Sequence, residues 1–320
     1  MLVCRFLEGS ACLSESIHVP VLLQEVLDLF KLQEGMPPTS KIVVDGTLGG
    51  GGHTEALCRR GVKVIAFDRD IDALNRTEKR LRNLFEGDLF KEMPFPVRFV
   101  HADYRFFAEA LDMLEIGKID AFLLDLGLSS DQLADAPRGF SFDSEGELDM
   151  RFDTSEGMTA RELLATLPEG EIADILYRFG EERHSRRIAR KIVALRERGD
   201  VLQTARQLAE VVRRCVPKSG KNPIDPATRT FQALRIAVND ELGALRATLE
   251  ELPKRLKPGG VAAVISFHSL EDRIVKNVFR DCRYWTAVTP KPMTASEEEA
   301  ARNPRARSAK LRAGIRRLET

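Results

Sequence analysis

The segment Asp45-Gly46-Thr47-Leu48-Gly49-Gly50-Gly51-Gly52-His53 decides the fold that this sequence predicts. It follows Lys41–Val44, a short β-branched run, and it precedes Thr54–Cys58, which has the character of a helix. Glycines let the backbone pass close to a ligand without a Cβ in the way, and a helix N-terminus points free N–H groups at that ligand. A strand, a glycine turn and a helix start in this order predict a nucleotide-cofactor loop.

Two acids beside these glycines narrow the choice of cofactor. Asp45 ends the first strand, where a carboxylate would repel a pyrophosphate but would suit the amine and sulfonium of S-adenosylmethionine. Asp68 ends a second apolar run, Val62–Phe67, and lies 23 residues after Asp45. Rossmann-type folds place a carboxylate on ribose hydroxyls at a spacing of roughly 20 residues. A plain tight turn is the alternative interpretation of the glycines, and the two acids make it less favoured.

The bulk properties of the chain exclude several classes of protein. The 320 residues are 43% hydrophobic, and 49 basic residues balance 49 acidic ones, so any nucleic-acid site must be local. The five cysteines form no CxxC pair, which argues against zinc and against a disulfide framework. No apolar run approaches the roughly 18 residues of a membrane span, and the N-terminus lacks the apolar core of a cleaved signal. We therefore expect a cytoplasmic protein with no metal site.

Strand and helix signals alternate as far as Asp125, which predicts βαβ units and a mostly parallel sheet. The strands are expected over 42–45, 62–67, 97–100 and 119–125, and the helices near 53–60, 71–86 and 105–115.

A helical module interrupts this alternation. We expect helices over 159–166, 169–179, 185–198 and 204–215, and then one long helix over 227–255. A strand returns at 261–266, followed by a helix over 270–281 and a pairing of 284–289 with 308–316. The predicted organisation is an α/β domain in two parts, 18–140 and 226–320, with an inserted all-α domain over 141–225.

Two segments after the strands carry further candidate residues. Asp125 ends the fourth strand, at the edge where open α/β sheets bind ligands, and is placed to touch the amino-acid part of a cofactor or to meet a target amine. A loop or capping carboxylate is the alternative. After the third strand, Asp103 is a candidate to bind an adenine amine and Tyr104 to stack on the ring. A partly buried core aromatic is an equally weighted alternative for Tyr104.

Nine motifs, in this order, resemble the bacterial RsmH (MraW) family of 16S ribosomal RNA cytosine-N4 methyltransferases. The motifs are DGTLGGGGHT, AFDRD, LLDLGLSSDQL, PRGFSF, LDMRFD, GEERHSRRIA, PATRTFQALRI, ISFHSLEDRIVK and NPRARS. The resemblance extends from about His18 to Arg312. It implies a Rossmann-like sheet, S-adenosylmethionine as cofactor, and as substrate a cytidine in the P-site decoding region of 16S ribosomal RNA.

Family positions can be transferred residue by residue. The implied cofactor contacts are Gly51, Gly52, His53, Asp68, Tyr104, Asp125 and Gln132, to which the residue argument adds Asp45, Gly49 and Asp103. The family often has Phe where this chain has Tyr104. DNA amino-methyltransferases carry a polar-Pro-Pro-aromatic motif after the fourth strand, and here Asp125–Leu128 keeps only the polar residue. The residue that stacks on the target base is therefore not identified.

The remaining candidates concern the substrate. His268 follows the fifth strand and is predicted to be catalytic, either orienting the base or taking a proton. A purely structural histidine is the equal alternative.

Contact with RNA phosphates is predicted for Arg186, Arg187, Arg190, Lys191 and Arg229. The alternative is that these residues form only a solvated face. We expect the inserted module to serve RNA recognition and not cofactor binding. The partner is 16S ribosomal RNA, within the small subunit, and a homodimer is left open.

Two rival functions come from other classes of protein. An NAD-dependent oxidoreductase would share the glycine turn, but Asp45 before it and Thr54 in place of a third glycine argue against a pyrophosphate site. A non-enzymatic RNA-binding factor could retain the fold, but the intact acids Asp68 and Asp125 argue against loss of catalysis.

Overall fold

The computed structural model describes residues 20–32, 40–86, 95–128, 136–217 and 225–318. Within these residues the strands are β1 (Ile42–Asp45), β2 (Lys63–Asp68), β3 (Val97–His101), β4 (Ile119–Asp125), β5 (Leu256–Ser266), β6 (Trp285–Ala287) and β7 (Lys310–Arg316). They form one seven-stranded sheet in the order β3-β2-β1-β4-β5-β7-β6. Only β7 runs antiparallel to its neighbours, and the pairing of the two last strands is as expected. The prediction of a Rossmann-like, mostly parallel α/β sheet is confirmed.

Helices cover both faces of this sheet and also form a separate group. They are α1 (Leu23–Leu29), α2 (Gly52–Cys58), α3 (Ile71–Glu86), α4 (Phe107–Met113), α5 (Ala160–Thr166), α6 (Glu169–Gly180), α7 (Ser185–Arg196), α8 (Ala205–Cys215), α9 (Ala227–Asn239), α10 (Glu241–Arg255), α11 (Ser269–Phe279) and α12 (Glu297–Arg302). No helix in the described ranges is both long and apolar enough to cross a membrane.

Alternate residues of each strand enter different cores, because successive side chains point to opposite faces of a sheet. Val43 and Val64 pack with α1, α2 and α3 on one face. Val44 and Ile65 pack with α4, α10 and α11 on the other. Burial on both faces explains why these strands are continuous apolar runs. The sheet is therefore accessible to a ligand at its carboxyl edge, and β1 lies there between β2 and β4, at the switch in strand order.

The expectation of one helix over 227–255 is wrong. The chain breaks at Asp240, which has a φ of 48° and separates α9 from α10. Aspartate tolerates this left-handed conformation better than most residues. The break is invisible to a pattern of apolar spacing, and its consequence is that Glu241 begins a new first turn at the carboxyl edge of the sheet.

The start of the fifth strand also differs from the expectation. β5 begins at Leu256 and not at Val261, because Leu256 already pairs with β4 and the exposed residues 257–259 lie at a register shift before the pairing resumes at Val261. The residues that precede the expected strand are therefore an irregularity within β5.

The helical module has its own hydrophobic core. It extends from Phe140 to Leu234 and includes residues of α5, α6, α7 and α8, all of which were expected as helices. Phe231 and Leu234 of α9 pack into this core, so the first half of α9 belongs with the module by packing. The domain boundary at 225/226 stays a prediction.

Candidate cofactor pocket and reaction site

The glycine turn between β1 and α2 is held from below by Asp68. Gly49 and Gly51 have φ values of 47° and 74°, in the left-handed region that glycine adopts at little cost. The Gly49 amide donates to the Asp68 carboxylate at 2.8 Å, and the Thr77 hydroxyl donates to the Gly49 carbonyl at 2.6 Å. A Cβ on Gly51 would lie 2.5 Å from the Thr77 methyl. The turn therefore has one geometry, which only glycine fits.

Asp45 supports the turn from underneath and does not line the pocket. It is 1% exposed, and its carboxylate accepts hydrogen bonds from the Thr54 hydroxyl at 2.7 Å and the Thr47 amide at 3.2 Å. Burial raises the pKa of Asp45. A contact between Asp45 and the cofactor remains a prediction. In the structure its carboxylate joins the end of β1 to α2 through these hydrogen bonds.

His53 and Asp125 face each other across the pocket. The His53 Nε2 lies 3.0 Å from the Val21 carbonyl, and burial lowers the pKa of the imidazole, so the neutral ring donates through Nε2. Its Nδ1 is then an acceptor, and it lies 3.9 Å from Oδ2 of Asp125. Two acceptors at this separation suit a ligand that supplies N–H donors or a positive charge. The amine of S-adenosylmethionine and an exocyclic amine both meet that requirement.

Most of the predicted cofactor residues line one pocket at the carboxyl edge of the sheet. They are Gly49, Gly51, Gly52, His53, Asp68, Tyr104 and Asp125. Asp103 does not line the pocket, because its carboxylate pairs with Arg69 at 3.2 Å and Arg105 at 3.0 Å. Gln132 lies outside the described residues. The cofactor roles of these side chains remain predictions.

Several side chains that line this pocket were not predicted from the sequence, and the aromatic and charged ones include Phe152, Glu241, Glu271 and Arg305. Phe152 lies in the LDMRFD motif and Arg305 in the NPRARS motif. These motifs contribute to the family resemblance, but the sequence assigns no function to either residue. Nothing in the sequence predicts Glu241 as a pocket residue, because it falls in the middle of the long helix expected over 227–255. Glu271 lies in the same motif as His268, and the sequence pattern favoured the histidine as the reactive group.

Phe152 brings the inserted module to the cofactor pocket, which differs from the expectation that the module stays apart from it. Its amide donates to the Asn239 side chain at 2.8 Å, and that side chain donates to the Met150 carbonyl at 2.8 Å. The Phe152 ring stacks on Phe140, with the centroids 5.6 Å apart. The module therefore supplies an aromatic wall to the pocket.

His268 lies behind the pocket and caps α11. Its Nε2 is 3.1 Å from Oε1 of Glu271, and it is Glu271 that lines the pocket. Glu241, His268 and Glu271 have a donor set that could ligate a metal ion. Arg235 already binds both oxygens of Glu241, at 2.7 and 2.9 Å, so the chemistry of this group does not call for a metal.

The basic residues predicted to contact RNA are exposed. Arg186, Arg187, Arg190 and Lys191 project from α7, and the one ion pair that the structure gives them joins Arg190 to Glu169 at 3.7 Å. Arg229 donates to the Glu181 carbonyl at 3.3 Å. Near the C-terminal end of the described chain, Arg312 pairs with Asp272 and Arg316 donates to the Pro253 carbonyl, so these two arginines serve the fold.

The ionisation of the Asp68 carboxyl group should make cofactor binding in this pocket depend on pH. Burial raises its pKa to about 6, against the lowering effect of the Asp70 and Gly49 amides. Above this pH the carboxylate is charged and can accept ribose hydroxyls. We expect affinity for S-adenosylmethionine to fall about tenfold or more as the pH drops through 6, since bonds to a charged group contribute about 1.5–3 kcal/mol. The ligand-free fold has the opposite dependence, because a raised carboxyl pKa favours the folded state at acidic pH.

Calorimetric titrations between pH 5 and 8 would measure this dependence. The Asp68→Asn variant should bind weakly and show a flat profile over that range. An affinity of the unmodified protein that does not change with pH would contradict the role of Asp68.

Comparisons with known proteins identify the family of the chain. Residues 15–317 match the MraW methylase family. The chain is 48% identical over 314 residues to "Ribosomal RNA small subunit methyltransferase H" of Rhodopirellula baltica, across 95% of this chain and 92% of that protein. Proteins of the same name from Sorangium cellulosum and Deinococcus radiodurans are each 47% identical over 300 residues, which is 93% of this chain and 90% and 89% of theirs. The chain belongs to the MraW methylase family, and it is an S-adenosylmethionine-dependent methyltransferase.

Proposed function

We propose that the chain methylates the exocyclic N4 of a cytidine in the P-site decoding region of 16S ribosomal RNA. The enzyme recognises this RNA within the small ribosomal subunit. Its relatives carry the name of a small-subunit ribosomal RNA methyltransferase. The single observation that carries the choice of an amine is the pair of acceptors, His53 Nδ1 and the Asp125 carboxylate, at the edge of the pocket. A ribosomal substrate would place the enzyme in the cytoplasm.

The chemistry of the pocket favours nitrogen over carbon as the methyl acceptor. Methylation of a pyrimidine ring carbon needs a nucleophile, typically a thiolate, to add to the ring first. No cysteine is among the described residues that line the pocket. An exocyclic amine needs no such adduct. It needs its lone pair held in line with the methyl–sulfonium bond, and positioning of that kind contributes several kcal/mol.

The target base must leave its stack to enter the pocket, because an enzyme cannot reach the target atom of a base inside a stacked duplex. Aromatic walls suit a planar base, and Phe152 and Tyr104 provide two. Mass-spectrometric mapping of small-subunit RNA from cells with and without this gene tests the function. We expect one methyl group to disappear from a cytidine when the gene is absent. An unchanged set of methyl groups would refute the proposal.

The basic face of α7 is proposed to hold RNA phosphates. The alternative, in which its arginines pair with Glu181 and Glu182, finds no support in the side-chain contacts. Glu181 accepts from the Ser269 hydroxyl and pairs with Arg273, and Glu182 accepts from the His184 amide. Apart from the Arg190–Glu169 ion pair, no side-chain hydrogen bond or ion pair among the described residues engages these four side chains, so the face can bind a polyanion.

Reversing the charges of Arg186, Arg187, Arg190 and Lys191 tests this face. We expect weaker RNA binding at every sequence and a salt dependence that flattens by about 0.7–0.9 per lost phosphate contact. The affinity for S-adenosylmethionine and the melting temperature should not change. Lys118→Glu, which alters an exposed charge before β4 at the opposite edge of the sheet, is the control. Lost thermal stability with unchanged RNA affinity would make the face structural.

A further inference from the structure

Glu271 is a buried carboxylate on the wall of the reaction pocket, and the cofactor pattern does not use it. It lies in the first turn of α11 and is 1% exposed. Its Oε2 accepts from the amides of Phe267 at 2.9 Å and His268 at 3.3 Å. Its Oε1 faces Nε2 of His268 at 3.1 Å.

Capping of the helix does not by itself explain a carboxylate at this position. The third helical residue completes a capping box in three described helices, and it is Glu162 in α5, Gln207 in α8 and Glu271 in α11. Gln207 shows that a neutral amide completes the same motif in this chain. A buried charge costs far more than a buried amide unless something compensates it. Helix capping alone therefore does not account for a charged side chain at position 271, and a further role for the carboxylate is required.

The charged groups around Glu271 leave its charge available. Glu241 on α10 is matched by Arg235 on α9, which binds both of its oxygens. Among the described residues, no lysine or arginine forms an ion pair with Glu271, and the remaining ionisable neighbours are His268 and Tyr104. Burial raises the pKa of Tyr104 well above its usual range, so this phenol stays neutral.

His268 orients Glu271. Its Nδ1 lies 3.5 Å from the Glu271 amide and accepts from it, which leaves the proton of the neutral ring on Nε2. The Nε2 atom lies 3.1 Å from Oε1 of the carboxylate, close enough for an electrostatic contact but not aligned as a hydrogen bond. His268 is thus a positioning residue, and the group that lines the pocket is the acid.

The start of α11 lies beside the segment at which the substrate amine is expected. Asp125 at the end of β4 pairs with Ile265 in β5, and α11 begins four residues later. The ring of Phe267 packs so closely on Gly127 that a Cβ there would lie 2.7 Å from it. Asp125 and Glu271 consequently line the same pocket from adjacent strand ends.

We propose that Glu271 accepts the proton that the exocyclic amine loses during methyl transfer, which rests on the proposed function. The nitrogen lone pair forms the new bond to the methyl carbon, and the carbon–sulfur bond breaks with its electron pair passing to sulfur. The sulfonium becomes a neutral thioether, and the N–H proton moves to the Glu271 carboxylate. From the resulting acid it passes to solvent. Asp125 holds the amine in line and does not take the proton.

Glu271→Gln tests this role, because the one carbonyl oxygen of glutamine can still accept the two backbone amides of the cap while the carboxylate charge is lost. The single-turnover rate is measured from pH 5.5 to 9 with saturating cofactor and small-subunit RNA. We expect a fall of about 100-fold or more, the scale of general base catalysis, and loss of the decline in rate at acidic pH. Affinity for S-adenosylmethionine should change less than about twofold. Glu271→Asp keeps the charge and should restore part of the rate.

Glu162→Gln is the matched control, since it makes the same change in the capping box of α5, away from the pocket, and should leave the rate and its pH profile unchanged. A Glu271→Gln protein with the rate and pH profile of the unmodified enzyme would overturn the proposal. So would a Glu271→Gln protein that does not fold while Glu162→Gln does, because the carboxylate would then be structural. Failure of the unmodified enzyme to methylate an RNA amine would instead refute the proposed function.

Discussion

Replacing Asp125 with alanine is expected to reduce methyl transfer at least about 100-fold while leaving the fold intact. The carboxylate lies at the end of β4, on the pocket wall and 3.9 Å from Nδ1 of His53, where it can align an amine with the transferred methyl. Losing a group that positions the reacting atom costs this much or more. The main-chain amide of Asp125 donates to the Thr47 hydroxyl at 2.7 Å, and this bond survives the substitution. Turnover with labelled cofactor measures the effect.

Asp112→Ala is the control for this change. Asp112 is an exposed acid on α4 that pairs with Arg255, so its loss should cost little stability and no activity. Near-normal turnover in Asp125→Ala would show that the carboxylate is only part of a loop.

Replacing Asn239 with alanine is expected to lower the free energy of unfolding by about 2–4 kcal/mol and to weaken cofactor binding. The side chain accepts from the Phe152 amide in a partly buried bond and donates to the Met150 carbonyl in a buried one, and both partners would lose that bond. Each unsatisfied buried group costs about 1–3 kcal/mol. The aromatic wall that Phe152 forms would also lose its anchor. Denaturant unfolding and calorimetry measure the two effects.

Asn277→Ala provides the comparison, since this asparagine is exposed on α11. It should change stability by less than about 0.5 kcal/mol. A normal stability of Asn239→Ala would mean that the module and the sheet are joined by other contacts.

Local signals were enough to predict the sheet and the cofactor edge. Glycines with φ values of 47° and 74° are needed where the sequence has them, and Asp45, Asp68 and Asp125 end strands as the apolar runs indicate. Each of these features depends on neighbouring residues. The strand order then follows from the βαβ pattern, and it brings the three acids to one edge without any further information.

The missed features depend on contacts between distant parts of the chain. Phe152 reaches the pocket because Asn239, 87 residues later, binds its amide. The break at Asp240 keeps helical spacing on both sides, so the periodicity runs through it. His268 appeared to be the reactive group of its motif, whereas the fold turns Glu271 toward the pocket. Such arrangements follow from packing and not from residue type or spacing.

We propose that this enzyme methylates the N4 amine of a cytidine in small-subunit RNA. The most direct test of this proposal is transfer in a purified system, with labelled S-adenosylmethionine and small subunits from cells that lack the gene. After digestion to nucleosides, chromatography and mass spectrometry identify the labelled product. We predict N4-methylcytidine from a single site in the P-site decoding region. Label on ring carbon 5, on a ribose hydroxyl, or on no nucleoside at all would contradict the account.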